Sequence, residues 1–119
     1  MRGDELKKDH GKPMWDLLPL NIIEGIVNVL TFGANKYTAN SWQNVDNAEN
    51  RYFAALMRHL SRYQSGEQID QESGINHLHH AACNIVFLMW FEERAKAHRL
   101  TNGHTASATS AADPNGLQK

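Results

Sequence analysis

Cysteine is almost missing from this chain. Cys83 stands alone, so no disulfide can form within it, and a cross-linked fold is excluded. Such usage fits a reducing compartment, and a cytoplasmic setting is expected. Neither charge sign dominates: twelve Lys and Arg against thirteen Asp and Glu leave a formal net charge of -1. A nucleic-acid polymer is therefore not an expected partner, and any basic surface has to be local. The longest strongly apolar run, Ile85 to Phe91, is far shorter than the ~20 residues of a membrane span. The stretch from Arg2 to His10 is charged and has no apolar segment, so no secretory signal is read there. Familiar catalytic signatures are absent as well: no P-loop, no GxSxG elbow, no HExxH and no CxxC. No His-Asp dipeptide occurs, which argues against the HD class of metal phosphohydrolases.

What remains is one domain of 119 residues with room for a single modest core. Residues 1–13 are polar, contain two glycines and end in Pro13, and read as a flexible arm. Residues 100–119 are small and polar with no periodic apolar face, and read as a disordered tail. The folded part is expected over 14–99, and its pattern is all-α.

Three helices are expected. The first spans about Pro19 or Leu20 to Lys36, because Ile22, Ile23, Ile26, Val27 and Leu30 recur at three- and four-residue steps. Pro19 suits a first turn. Gly25 and Gly33 each cost about 1 kcal/mol against alanine, and Gly33 is read as the place where a neighbouring backbone comes close. Glu24, beside Gly25, reads as exposed. The second helix spans about Asn47 to Gln64, with Asp46 or Asn47 as N-cap and Ser65-Gly66 as its stop. Its apolar face is read as Tyr52, Phe53, Leu56, Leu60 and Tyr63. The third spans about Ile75 to His98 and is apolar on every side from Ala81 to Phe91, except at Asn84. A helix of that kind is buried on every side. Three helices can barely enclose it, so completion of the bundle by self-association is expected.

The polar chemistry concentrates between the last two helices. Residues 58–84 hold four of the seven histidines, two arginines and three carboxylates. His77, His80 and Asn84 follow one another at i, i+3 and i+7, on one face, just after Asp70, Glu72 and Ser73. Imidazoles with a carboxylate suit a divalent metal, or the same groups contact a ligand directly, or they only bond loop carbonyls and one another. His79 points off this face and reads as surface. At about 100° per residue, Arg51, Arg58 and Arg62 fall within about 40° of each other. They border His59, and no acid stands four residues from any of them, so Arg58 and Arg62 are candidates for an anion, with Arg51 behind them. Lys36, Tyr37 and Trp42 cluster after the first helix, where lysine holds a phosphate and an aromatic ring covers a base, or Trp42 simply plugs the bundle end. Glu67 to Asp70 spells ExxD, a weak match standing in a loop.

Four blocks in order, GKPMWDLLP (11–19), LTFGANKY (30–37), RHLSRYQSGEQID with ESG (58–74) and HL with HAACN (77–84), resemble a phage-encoded family. This is the dATP/dGTP diphosphohydrolase N-terminal domain family, similar to the MazG-type all-α NTP pyrophosphohydrolases. The resemblance covers about residues 10–95. It implies a MazG-like helical bundle, usually oligomeric, that converts a deoxynucleoside triphosphate of the dGTP or dATP class to monophosphate and pyrophosphate with Mg²⁺ or Mn²⁺. Such an enzyme adjusts the phage nucleotide pool in the host cytoplasm. The matching positions are Lys36, Tyr37, Arg58, His59, Asp70, Ser73, His77, His80 and Asn84.

One departure matters. MazG-type enzymes hold their metals with an ExxE pair and an ExxD pair on successive helices, and this chain has no ExxE. The expected metal set is therefore Asp70, Glu72, His77 and His80. His59, Asp70 and His77 are the expected catalytic residues, with His59 an acid/base near neutral pH. Lys36, Tyr37, Trp42, Arg58, Arg62, Ser73 and Asn84 are expected on the nucleotide. The alternative is a non-catalytic helical protein that sequesters a nucleotide or nucleotide-derived signal, for which the missing acid pair speaks. A protein-binding accessory factor is a third reading, with no nucleotide affinity.

Overall fold

The computed structural model describes residues 10–112, with side chains to residue 101. Most of the expected arm (1–9) and the last part of the expected tail (113–119) lie outside the described residues. A 3-10 turn at Trp15–Leu17 leads into three helices: α1 (Leu20–Lys36), α2 (Ala48–Gln64) and α3 (His77–Ala112). Among the described residues no strand forms, and one isolated bridge pairs Ile69 with Asn76. The fold class is all-α, as the pattern predicts. No described helix is long and apolar enough to cross a membrane.

Local chemistry sets each boundary. Pro19 stands at the N-cap, its carbonyl accepting from the amides of Ile22 (2.9 Å) and Ile23 (3.1 Å). Asn47 is the N-cap residue of α2, yet its side chain makes no capping bond. It adopts a left-handed φ of 56°, which asparagine tolerates better than most side chains, and receives the Asn50 amide instead. At its C-terminus α2 closes in a Schellman motif: Glu67 N donates to Arg62 O (3.0 Å), and Gly66 N donates to Tyr63 O (3.1 Å). Gly66 sits at φ 109°, which a β-carbon would disfavour. This turn sends the chain back past α2 and delivers Glu67 to the site described below.

Helix α3 begins two residues later than expected, because Asn76 caps it, its Oδ1 accepting from Leu78 N at 2.8 Å. It also runs further, as a continuous helix to Ala112, past the expected end at His98. Both α1 and α2 pack on α3, α2 over the longer stretch, while α1 and α2 scarcely meet. The segment between them, including a 3-10 turn at Ser41–Asn44, folds over α3. Trp42 stacks on Phe87 (centroids 4.3 Å apart) and meets Trp90 edge-on at 4.9 Å. The Tyr52 hydroxyl donates to Trp42 O at 2.8 Å and so ties this segment to α2.

Two packing expectations change. The buried face of α2 is turned toward Ala48, Tyr52, Leu56 and His59, leaving Phe53, Leu60 and Tyr63 exposed, because α3 presents histidines there and not a wall of leucines. Close approach to α1 falls at Gly25 and not at Gly33. A β-carbon on Gly25 would lie 2.3 Å from the His79 ring, whereas Gly33 has open space around it. His79 is thus no free surface residue. It lies half-buried on α1, with Nε2–H donating to Ile22 O at 3.0 Å.

Candidate nucleotide and metal site

The largest fully buried side chains of the described protein are His77 and Cys83, so a histidine and not an aliphatic residue sits at the packed centre. Around it two short hydrogen-bonded chains run side by side. In the first, His59 Nδ1 faces His77 Nδ1 at 2.8 Å, and His77 Nε2 reaches Glu67 Oε2 at 2.7 Å. A carboxylate only accepts, so His77 carries its proton on Nε2 and a neutral His77 ring turns its Nδ1 lone pair toward His59. In the second chain the Ser73 hydroxyl and backbone N–H both donate to Asp70 Oδ2 (2.8 and 2.9 Å). With its only proton given to Asp70, Ser73 Oγ accepts from His80 Nε2–H at 2.6 Å. The His59 and His80 rings stack between the chains, centroids 4.4 Å apart and planes 6° from parallel.

The loop 67–76 fixes the acids. Asp70 N donates to Ile75 O (2.9 Å), Gly74 N to Asp70 O (2.7 Å), and His77 N to Gln68 O (2.9 Å). Gly74 takes φ 73° to close this turn. Burial works against the Asp70 carboxylate, but the two Ser73 bonds outweigh it and hold its pKa below the ordinary value. Burial lowers His59 most, the neighbouring His80 and His77 rings lower it further, and it falls to about 4. His59 is therefore neutral throughout the neutral range, not poised there as the sequence suggested. Burial likewise depresses His80.

Beside these chains opens a cavity of about 1130 Å³ between α1, the 37–47 segment, α2 and α3. Lys36, Tyr37, Trp42, Arg58, His59, Asp70, Glu72, His80 and Asn84 line it, which unites most of the sequence candidates. Arg51, ranked lowest of the three arginines, lines it as well. His77, Arg62 and Ser73 do not: His77 is fully buried against His59, Arg62 pairs with Glu67 at 3.7 Å, and Ser73 is held behind Asp70. Asn84 spends its amide on His80 O at 2.9 Å. Trp42 is chiefly a packing residue of the aromatic cluster that also borders the cavity.

Glu72, an expected metal ligand, instead forms an ion pair with Lys36, an expected phosphate contact. The Glu72 bond and then Tyr37 raise the pKa of Lys36. The metal-competent group among the described residues is His59, Asp70 and His77, whose donor atoms all lie within 4.8 Å of one another. Glu67 is the residue that sequence reasoning left out of the site. Its signal was the Ser65-Gly66 stop, which reverses the chain and returns the next side chain to the helix pair.

Comparison with known proteins places the chain in context. The profile of a family described as "dATP/dGTP diphosphohydrolase, N-terminal" matches residues 2–100. A protein of Salmonella phage PMBT28 named dATP/dGTP diphosphohydrolase is 31% identical over 85 residues, covering 71% of this chain and 29% of that protein. The chain thus spans less than a third of that relative's length. No solved structure matches it.

Proposed function

The chain belongs to the dATP/dGTP diphosphohydrolase N-terminal family, and we propose that its cavity takes dATP or dGTP and hydrolyses it to monophosphate and pyrophosphate. The observation that carries this reading is the convergence on one cavity of three cations, Lys36, Arg51 and Arg58, with Asp70, His59 and His80. Phosphate binding needs the first set and water activation the second. A volume of about 1130 Å³ leaves room for a nucleotide.

In this mechanism Arg58 and Arg51 hold phosphate oxygens, with the planar guanidinium suited to forked contacts. Lys36 is handed from Glu72 to the triphosphate, and Tyr37 lies along the base. Water attacks the α-phosphorus, the bond to the oxygen bridging to the β-phosphoryl group breaks, pyrophosphate leaves with that oxygen, and the water's proton passes to solvent. A divalent cation held by Asp70 with the adjoining imidazoles would acidify that water and offset the triphosphate charge. Neutral His59, backed by His77 and Glu67, orients the water and is too weak a base to remove its proton unaided at pH 7. In a phage such an enzyme would adjust the nucleotide pool.

A second reading, nucleotide sequestration without turnover, is favoured by one observation. The only acid in the metal-competent group found among the described residues is Asp70, where an enzyme of the MazG type uses pairs of acids. One experiment separates the two. The protein is incubated with each dNTP in Mg²⁺, in Mn²⁺ and in EDTA, and the products are resolved by anion exchange. Deoxynucleoside monophosphate with pyrophosphate, lost in EDTA, is the expected result. Intact nucleotide bound one to one would establish sequestration, and no binding at all would overturn both.

A further inference from the structure

The two imidazoles at the centre meet nitrogen to nitrogen. His59 Nδ1 and His77 Nδ1 lie 2.8 Å apart. Glu67 holds the only proton that a neutral His77 carries, at Nε2, so the atom facing His59 is a bare lone pair. His59 must place its own proton in the gap, and an ion could take that proton's place if His59 shifted it to Nε2. Bonds of about 2.1 Å to a shared cation put two imidazole nitrogens roughly 3.0–3.4 Å apart, so the rings need to part by only a few tenths of an ångström.

Asp70 supplies the third donor. Both hydrogen bonds to its side chain fall on Oδ2, from Ser73 N and Ser73 Oγ, which leaves Oδ1 for an ion. The donor atoms of His59, Asp70 and His77 lie within 4.8 Å of one another. The other candidates are otherwise engaged. Glu72 is paired with Lys36, His80 has its Nε2 on Ser73, and Glu67 bonds the far nitrogen of the His77 ring.

We infer that His59, His77 and Asp70 form a binding site for a borderline transition-metal ion, of the Mn²⁺ to Zn²⁺ series and not Mg²⁺, with Glu67 as the carboxylate that orients His77. The inference deepens the hydrolysis reading and rests on it for the task the ion performs. Two imidazoles and one carboxylate match the donor preference of that series, whereas Mg²⁺ takes oxygen donors and keeps most of its water. A carboxylate on the distal nitrogen of a ligating histidine fixes its tautomer and strengthens its donation. Glu67 thus acts on the metal through His77, a positioning residue and not a ligand.

The test uses the full chain, stripped with chelator and titrated with Co²⁺ by calorimetry while the visible d–d band is followed. We expect one Co²⁺ per chain, undisplaced by millimolar Mg²⁺. Pulsed EPR of the Mn²⁺-loaded wild type should show coupling to imidazole ¹⁴N, a readout that needs no variant to fold. His59→Gln and His77→Gln should lose the band, and Glu67→Gln should keep it with affinity weakened about 10–100-fold. Glu72→Gln should bind as wild type does. Displacement by equimolar Mg²⁺, absence of ¹⁴N coupling, or loss of the site in Glu72→Gln would overturn the inference. Turnover of dGTP is assayed in parallel: Mg²⁺-supported turnover without Co²⁺ uptake sinks the site and spares hydrolysis. A Co²⁺ site with no product does the reverse.

Discussion

Alanine normally stabilises a helix when it replaces an interior glycine, by about 1 kcal/mol, and at Gly25 we expect that sign to be reversed by a single neighbour. A β-carbon there would lie 2.3 Å from Cδ2 and Nε2 of His79, well inside contact distance. The ring must leave, and with it goes the bond from Nε2–H to Ile22 O at 3.0 Å. A surface hydrogen bond of this kind contributes about 0.5–1.5 kcal/mol, and overpacking costs about 1–3 kcal/mol. Set against the gain in helix propensity, Gly25→Ala should destabilise by about 0.5–3.5 kcal/mol. In a His79→Ala background the obstruction is gone, and the same substitution should stabilise by about 1 kcal/mol. Urea melts of the four proteins then give a coupling of about 1.5–4.5 kcal/mol, well above what independent sites show. Because α1 carries Lys36 and Tyr37 into the cavity, Gly25→Ala should also weaken nucleotide binding. Equal stabilisation in both backgrounds would refute the seating of His79 on α1.

Three other outcomes follow from burial and charge. Cys83 is 1% exposed and burial pushes its thiol up to about 12, so a thiol reagent should react slowly with the native protein and release one equivalent on unfolding; fast native reaction would show that α3 opens there. His59 has a folded pKa of about 4 against an ordinary 6.5, so the unfolded chain binds the extra proton. The stability it supports is whole above about pH 6.5 and is lost as pH falls through about 4. Discounted for its partial exposure, this loss is roughly 1–2 kcal/mol, measured as a steeper acid decline of metal-free wild type than of His59→Gln; parallel curves would reject it. Finally, Ile22, Val27, Phe53, Met57, Ile85 and Met89 are apolar side chains exposed by 44–57% on the three helices. A second copy of the chain is the expected cover, so light scattering should report an oligomer. Phe53→Glu or Met89→Glu should shift it toward monomer, and a monomeric wild type would leave those faces unexplained.

Periodicity made the helices readable, because the chain that forms α1 and α2 repeats its apolar residues at the helical period and ends at Lys36 and at Ser65-Gly66. It could not read rotation about the axis of α2. Leu60 and His59 are neighbours in the sequence, and the partner decides which turns inward: α3 offers His77 and His80, so the histidine goes in and Leu60 is left 38% exposed. The same limit explains the glycines. Gly25 and Gly33 are equivalent by composition, and only the seating of His79 from a segment far along the chain distinguishes them.

The site was legible as a list and illegible as a circuit. Residues 58–84 contain the histidines and acids that converge, while Lys36 and Arg51 come from outside that stretch, yet spacing alone joined His77 to His80 and Glu72 to the acids. In three dimensions His77 bonds His59 and Glu67, His80 bonds Ser73, and Glu72 crosses to Lys36. Charge explains that regrouping. A buried imidazole pair needs an acceptor within reach, and the Schellman turn after α2 delivers Glu67 to that place. Glu72, more exposed, is left to neutralise the lysine at the end of α1. One carboxylate thus bonds the buried histidine pair while another pairs with the lysine. That division of the acids is a consequence of where α2 stops.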